Sequence, residues 1–129
     1  MKFAIDTSAY SDFNRGDSRL RKWFVSANTM TIPLVVIGEL RAGFAAGSKK
    51  TENEVLLRRF LDMPSVSTAT ITDKTTEIFA ELYLSLRKAG KTIGTNDLWI
   101  ASVCLEHNIP LLTLDADFSN VCGLELIII

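Results

Sequence analysis

Short apolar runs alternate with longer stretches of helical spacing along the whole chain. The short runs, several rich in β-branched residues, predict strands over 2–6, 29–32, 66–70, 110–114 and 124–128. The stretches between them predict helices near 8–14, 17–27, 33–46, 51–62, 73–89 and 97–107, with a further short helix before the last strand. Strands that alternate with helices are typical of an α/β domain with a mainly parallel sheet. A length of 129 residues fits a single domain covering 1–129.

Several helix boundaries carry local signals. Residues Thr51 to Glu54 form a capping-box pattern. Asp73 can cap the long helix that follows it, and Gly90 is expected to end that helix. Thr95 and Asn96 are expected to cap the helix that starts at residue 97.

Composition and charge narrow the class of protein. No apolar run reaches the roughly 20 residues that span a bilayer, and the first apolar segment meets an acidic residue too early for a secretion signal. We therefore expect a cytoplasmic protein with no membrane partner. The net charge of −1, from 14 basic and 15 acidic residues, by itself argues against a strongly basic nucleic-acid binder.

Two acidic residues end apolar strands. Asp6 follows the first predicted strand and Asp115 follows the fourth. Ligands of parallel sheets bind at the carboxyl ends of the strands, which favours a functional role for both. Asp6 could instead cap the next helix. Asp117 lies two residues after Asp115, and either could cap the short helix there; we favour Asp115 for the site and keep Asp117 as an assisting residue.

Two further acids lie on helices that are expected to be buried. The helix around Glu39 is apolar on all sides, so its carboxylate should be paired or metal-bound; a buried pair with Arg41 or another cation is the alternative. Asp97 lies in the first turn of an apolar helix, where the helix dipole alone could explain a negative charge.

Four carboxylates gathered at one edge of a sheet would repel one another unless a cation lay among them. An all-oxygen, acid-rich set suits Mg²⁺, or Mn²⁺, rather than zinc. The sequence therefore predicts catalytic and metal-binding roles for Asp6, Glu39, Asp97 and Asp115. The polar neighbours expected to orient these carboxylates or their waters are Thr7, Ser8, Asn96 and Thr113.

The segments that carry these acids resemble one known family. IDTS at 5–8, IGEL at 37–40, NDLWIA at 96–101 and LTLDADF at 112–118 are similar, in this order, to motifs of the PIN domains, and within these to the VapC toxins of type II toxin–antitoxin systems. The resemblance implies a three-layer α/β/α fold and a Mg²⁺- or Mn²⁺-dependent endoribonuclease that cuts structured RNA, often tRNA or rRNA. It also implies Asp6 and Asp97 as the main metal ligands, a homodimer, and a cognate VapB-type antitoxin as partner.

The resemblance changes how the charge is interpreted. Without the four candidate acids the chain has 14 basic and 15 − 4 = 11 acidic residues, a balance of +3. Some basic clusters should then follow RNA phosphates. These clusters are Arg15/Arg19/Arg21/Lys22, Lys49/Lys50, Arg58/Arg59 and Arg87/Lys88/Lys91.

Two alternatives remain open from the sequence. One is another Mg²⁺-dependent phosphoryl-transfer enzyme, such as a receiver-like domain or a phosphatase. The other is a non-catalytic RNA-binding module whose carboxylates form structural pairs.

Overall fold

A five-stranded parallel sheet forms the centre of the molecule. The computed structural model describes residues 1–129. The strands are β1 (Lys2–Ile5), β2 (Thr29–Pro33), β3 (Val66–Ala69), β4 (Leu111–Thr113) and β5 (Leu126–Ile128). Their order is β3-β2-β1-β4-β5, and every neighbouring pair is parallel.

Helices connect the strands and cover the sheet. They are α1 (Thr7–Asn14), α2 (Ser18–Ser26), α3 (Leu34–Ala46), α4 (Lys50–Leu61), α5 (Asp73–Lys88) and α6 (Thr95–His107), with a short 3₁₀ helix at Ala116–Asn120. Because crossovers between parallel strands are almost always right-handed and the chain reverses direction along the sheet after β3, the first two helix pairs are expected on one face of the sheet and the third pair on the other. The contacts within α1 to α4, and the extensive packing of α5 on α6, agree with this arrangement. The result is the three-layer α/β/α arrangement that the family resemblance implied. No helix combines the length and the apolar character needed to cross a membrane.

Separate aromatic clusters fill the two helical layers. Tyr10 and Phe60 pack edge to face across α1 and α4, with ring centroids 5.1 Å apart. Phe79 and Trp99 stack between α5 and α6 at 3.9 Å. Aromatic pairs of this kind add to the burial of apolar area, and here they fix α1 and α6, the helices that carry candidate site residues.

The order of the strands creates a crevice beside β1. From β1 the chain moves outward to β2 and β3, and it later returns to add β4 and β5 on the other side. β1 and β4 are therefore neighbours, with Ile5 opposite Leu112. Such a switch point, at the carboxyl ends of the strands, is where ligands of open α/β sheets bind.

The predicted elements are present, but two helices start earlier than predicted and a third has a different cap. Helix α4 begins at Lys50, before Thr51, and shows no side-chain cap. Helix α5 is capped by Thr72 rather than by Asp73, through a capping box with Thr75. Helix α6 begins at Thr95, with Gly94 as its N-cap residue and no side-chain cap bond. In each case the residue expected from the sequence to cap the helix lies inside the helix.

The environment of α3 also differs from the prediction. The helix was expected to be buried on all sides, yet Leu34, Gly38, Ala42 and Ala46 are exposed. The helix packs on β2, α1, α4 and α6 with one face only. Because these exposed residues are as apolar as the buried ones, the sequence pattern alone could not show which face of α3 meets solvent.

Candidate active site

Asp6 lies at the carboxyl end of the central strand and is 4% exposed. Its side chain caps α1 by accepting a hydrogen bond from the Ala9 N–H at 2.9 Å. It also accepts from Ser8 Oγ at 2.8 Å and from the Thr113 hydroxyl on β4. Asp6 thus has both roles that the sequence left open, because one carboxylate oxygen caps the helix while the side chain lines the crevice.

The charge state of Asp6 is set by opposing effects. Burial raises the pKa of Asp6, the hydrogen bonds from Thr113, Ala9 and Ser8 lower it, and the nearby negative charge of Asp115 raises it again. The net direction is upward, so ionised Asp6 is costly in the folded protein unless positive charge compensates it.

The buried hydroxyl of Thr113 is expected to stabilise the ionised form of Asp6. Thr113→Val keeps the shape but removes this donor and the acceptor that Thr113 Oγ1 offers to the Asp115 N–H at 2.9 Å. We expect a loss of about 1–3 kcal/mol at neutral pH. The pKa of Asp6 rises further in the variant, so the loss should shrink as the pH falls and Asp6 becomes protonated in both proteins. Urea unfolding between acidic and neutral pH measures this.

A strand threonine far from the crevice serves as the control. Thr31→Val, on β2, should change the stability by no more than about 0.5 kcal/mol at any pH. Equal, pH-independent losses in the two variants would contradict the role given to Thr113.

Glu39 joins three helices at the same edge. It is half-buried on α3, accepts a hydrogen bond from Thr7 Oγ1 at 2.8 Å, and lies 3.4 Å from the Asn96 amide nitrogen on α6. The alternative pairing with Arg41 is wrong, because Arg41 pairs with Glu54 at 3.3 Å. Two neutral donors therefore orient Glu39, and its charge stays uncompensated.

Asp97 carries the clearest electrostatic signature. It is half-buried in the first turn of α6, and no donor of the protein hydrogen-bonds to its carboxylate. Burial and the negative charges of Asp115, Glu39, Asp6 and Asp117, in this order, raise the pKa of Asp97 to about 6. The helix dipole, which favours an anion at this position, is outweighed by burial and by the neighbouring carboxylates.

Asp115 and Asp117 have different roles. Asp115 caps the short 3₁₀ helix by accepting from the Asp117 N–H at 2.9 Å, and it also lines the crevice. Asp117 is exposed and does not line it. Its negative charge makes the smallest of the contributions that raise the pKa of Asp97.

One cleft of about 360 Å³ brings the four predicted acids together. It is lined only by polar residues: Asp6, Thr7, Ser8, Ser11, Asp12, Arg15, Glu39, Asp97 and Asp115. None of the four predicted acids forms an ion pair with a basic residue. The cleft is therefore a concentration of negative charge with a single cation at its rim.

Sequence reasoning missed three of the lining residues. Ser11, Asp12 and Arg15 follow Thr7 and Ser8 at intervals of three and four along α1, so all five share one helix face. That spacing was the available signal. Arg15 pairs with Asp12 and is largely exposed.

The donor set of the cleft fits a hard divalent cation that keeps part of its water shell. No group of three or more acidic, histidine or cysteine side chains is arranged to hold one metal ion directly. Mg²⁺, however, often takes only one or two carboxylates and retains several waters. Asp6 and Asp97, both with raised pKa values and uncompensated charge, have the chemistry to be those two.

Comparison with known proteins identifies the family. The model of the PIN domain matches residues 3–124. This chain belongs to the PIN-domain family. The family expected from the sequence motifs is therefore confirmed. The acidic cleft described above is part of this PIN domain.

Individual PIN-domain relatives agree with this assignment. Ribonuclease VapC5 of Mycobacterium tuberculosis is 29% identical over 90 residues, which cover 70% of this chain and 67% of that protein. Ribonuclease VapC2 of Rickettsia felis is 35% identical over 86 residues, 67% of this chain and 63% of that protein. The crystal structure of VapBC2 from Rickettsia felis, bound to a DNA fragment from its promoter, superposes with a TM-score of 0.87 at 28% identity, over 100% of this PIN domain and 99% of that chain.

Proposed function

We propose that this PIN domain is a Mg²⁺-dependent endoribonuclease of the VapC type, the toxin of a type II toxin–antitoxin module, which hydrolyses phosphodiester bonds of structured RNA such as tRNA or rRNA. The observation that carries the proposal is the cleft in which Asp6, Glu39, Asp97 and Asp115 meet without a basic partner. A purely structural cluster of carboxylates would normally be paired.

The chemistry follows from the charge of the cleft. Mg²⁺ bound there would polarise a phosphoryl oxygen and help to orient an attacking water. Asp6 and Asp97 are suited to hold the ion, because both carboxylates are destabilised without a counter-charge. Glu39, which accepts from Thr7 and faces Asn96, and Asp115, which caps the 3₁₀ helix, would help to orient waters in the cleft.

The two alternatives from the sequence are less well supported. A receiver-like domain disagrees with the PIN-domain match over residues 3–124. A non-catalytic RNA-binding module would have no need for uncompensated carboxylates, which repel RNA phosphates unless a cation lies between them.

Mg²⁺ is expected to stabilise the folded protein. Because an ion bound only by the folded state adds RT ln(1 + [Mg²⁺]/Kd), a concentration 100 times Kd contributes about 2.7 kcal/mol. Thermal unfolding should therefore shift to higher temperature with MgCl₂ and return with EDTA. The shift should vanish in Asp97→Asn and persist in Asp73→Asn, which removes an exposed acid from the first turn of α5. An equal shift in both variants would place the ion elsewhere.

Cleavage of a total RNA pool tests the activity itself. We expect defined fragments from the purified wild-type protein in MgCl₂, none in EDTA, and none from Asp97→Asn prepared in the same way. Fragments that persist with Asp97→Asn point to a contaminating nuclease or to a different mechanism. RNA that is bound but never cut supports the non-catalytic alternative.

The proposed partners follow from the VapC resemblance. We propose a VapB-type antitoxin that covers the acidic cleft, and a homodimer. Exposed apolar side chains support contacts of this kind, among them Leu34 and Leu56 at 48% and 46% exposure. Co-expression with the product of the neighbouring reading frame, followed by light scattering of the complex and of the free protein, tests both.

A further inference from the structure

A second cavity, of about 410 Å³, lies beside the acidic cleft between the end of α5 and the start of α6. Its floor consists of Leu86 and Leu98, both buried, and of half-buried Ile93. Tyr83, 52% exposed, lines one side, and the exposed Arg87, Gly90, Lys91 and Thr92 complete the lining. The volume lies within the range of about 300–1,000 Å³ that is usual for small-ligand sites.

The cavity adjoins the cleft through the segment that leads into α6. Gly94 is so close to Asp97 that a Cβ atom there would lie 3.9 Å from Asp97 Oδ2. Ile93 precedes Gly94 and lines the cavity, and Leu98 follows Asp97 and lines it as well. The four residues from Ile93 to Asp97 span at most about 14 Å. Two neighbouring nucleotides of one RNA strand can therefore contact the cavity and the cleft at the same time.

The backbone around the cavity is held in place. Gly90, with φ +68°, ends α5, and its N–H donates to the Arg87 carbonyl at 3.1 Å. The Lys91 N–H donates to the Leu86 carbonyl at 2.9 Å. These two bonds form a Schellman motif, which turns the chain back over the last turn of α5 and fixes the position of Lys91 next to Arg87.

Charge and shape indicate the ligand. Arg87 and Lys91 form no ion pair with any acid of the protein, so both can meet an external anion. An exposed tyrosine ring beside an apolar floor is a surface on which a base can stack, and adjacent cations can bind its phosphate. The acidic cleft has the opposite character, since it needs a cation before it can accept a phosphate.

We propose that this cavity binds one unpaired nucleotide of the RNA substrate, next to the phosphodiester held in the acidic cleft. The base stacks on Tyr83 above Leu86 and Leu98, and the phosphate contacts Arg87 and Lys91. The proposal rests on the proposed ribonuclease function and adds a site that selects a single-stranded nucleotide beside the cut.

Binding is best measured without cleavage, with Asp97→Asn as the parent and a short fluorescein-labelled single-stranded RNA as the probe. Arg87→Ala/Lys91→Ala should weaken binding about tenfold. The slope of log Kd against log salt concentration should also become shallower by about 1.4, because each of the two lost phosphate contacts contributes roughly 0.7. Tyr83→Leu should weaken binding about tenfold with an unchanged salt slope, and Tyr83→Phe should bind like the parent, because the ring is retained.

A charge-matched control separates this site from general attraction to a basic surface. Arg58→Ala/Arg59→Ala removes two exposed cations from the last turn of α4 and should leave the salt slope unchanged. If Arg87→Ala/Lys91→Ala keeps the parental affinity and slope, or if both double variants lose the same amount, the cavity is not a nucleotide site. The two proposals fail separately: wild-type protein that never cuts RNA in MgCl₂ defeats the ribonuclease function, whereas wild-type protein that cuts RNA while the cavity variants bind normally defeats only the cavity.

Discussion

Replacing Asp97 with asparagine is expected to lower RNA cleavage at least about a hundredfold and, in EDTA, to make the protein more stable. Loss of a residue that merely supports a metal ligand commonly costs 10–100-fold, so loss of a ligand should cost at least the upper value. The gain in stability follows from the pKa of Asp97 of about 6, which is above its ordinary value of 3.8. An acid with a raised pKa is ionised at neutral pH only at the expense of the folded state.

The pH dependence gives the sign of this effect. Above pH 6 the folded wild-type protein bears the full cost of the ionised carboxylate, and the cost disappears as the pH falls toward 3.8. Two pKa units correspond to about 3 kcal/mol, but Asp97 is only half-buried, so screening by solvent reduces the expected gain to about 1 kcal/mol. Denaturant unfolding of wild type and Asp97→Asn in EDTA should therefore differ at pH 7 and agree near pH 4.

Asp73→Asn is the matched control for this prediction. Asp73 also lies in the first turn of a helix, but it is exposed and lies outside the cleft. Its replacement should lower the stability slightly, through the helix dipole, and leave cleavage unchanged. Asp97→Asn protein that cuts RNA at the wild-type rate, or that is less stable than wild type at pH 7 in EDTA, contradicts the electrostatic description of the cleft.

Replacing Asp6 should separate its structural role from its proposed catalytic one. Asp6→Asn keeps an oxygen that can accept from the Ala9 N–H and Ser8, so its stability should stay within about 1 kcal/mol of wild type. Asp6→Ala loses the cap and leaves the Ala9 N–H and the buried Thr113 hydroxyl without their partner, which should cost about 3 kcal/mol. Both variants should lose RNA cleavage at least about a hundredfold.

Asp17→Ala provides the comparison for the capping role alone. Asp17 caps α2 through the Arg19 N–H and does not line the cleft. Its replacement should reduce the stability but not the rate of cleavage. If Asp6→Asn retained activity while Asp6→Ala lost both stability and activity, the contribution of Asp6 would be structural only.

The parts of the fold that depend on short-range pattern were predictable from the sequence. Apolar strands followed by Asp6 and Asp115 placed both acids at the carboxyl edge of a parallel sheet, and the structure has them in one cleft. Gly90 ends α5 as expected, because a left-handed residue is required there. These features depend on neighbours in the chain, which a single sequence displays.

Features that depend on distant contacts were not predictable. The exposed face of α3 follows from which helices cover it, and an apolar pattern does not contain that information. The partner of Arg41 is Glu54, on the next helix, rather than the nearby Glu39. Arg15 reaches the cleft because α1 begins at Thr7, directly after its cap Asp6, and its role becomes visible only when that helix face is placed against the sheet.

The position of β4 has a consequence for the protein while it is being synthesised. β4 is inserted next to β1, and Thr113 and Asp115 supply parts of the cleft that Asp6 alone cannot form. A growing chain folds its amino-terminal part first, yet Asp115 follows Asp6 by 115 − 6 = 109 residues, so the cleft stays incomplete until that later segment has left the ribosome. We therefore expect a nascent chain of the proposed nuclease to be inactive toward ribosomal RNA until β4 and Asp115 have emerged and packed beside β1.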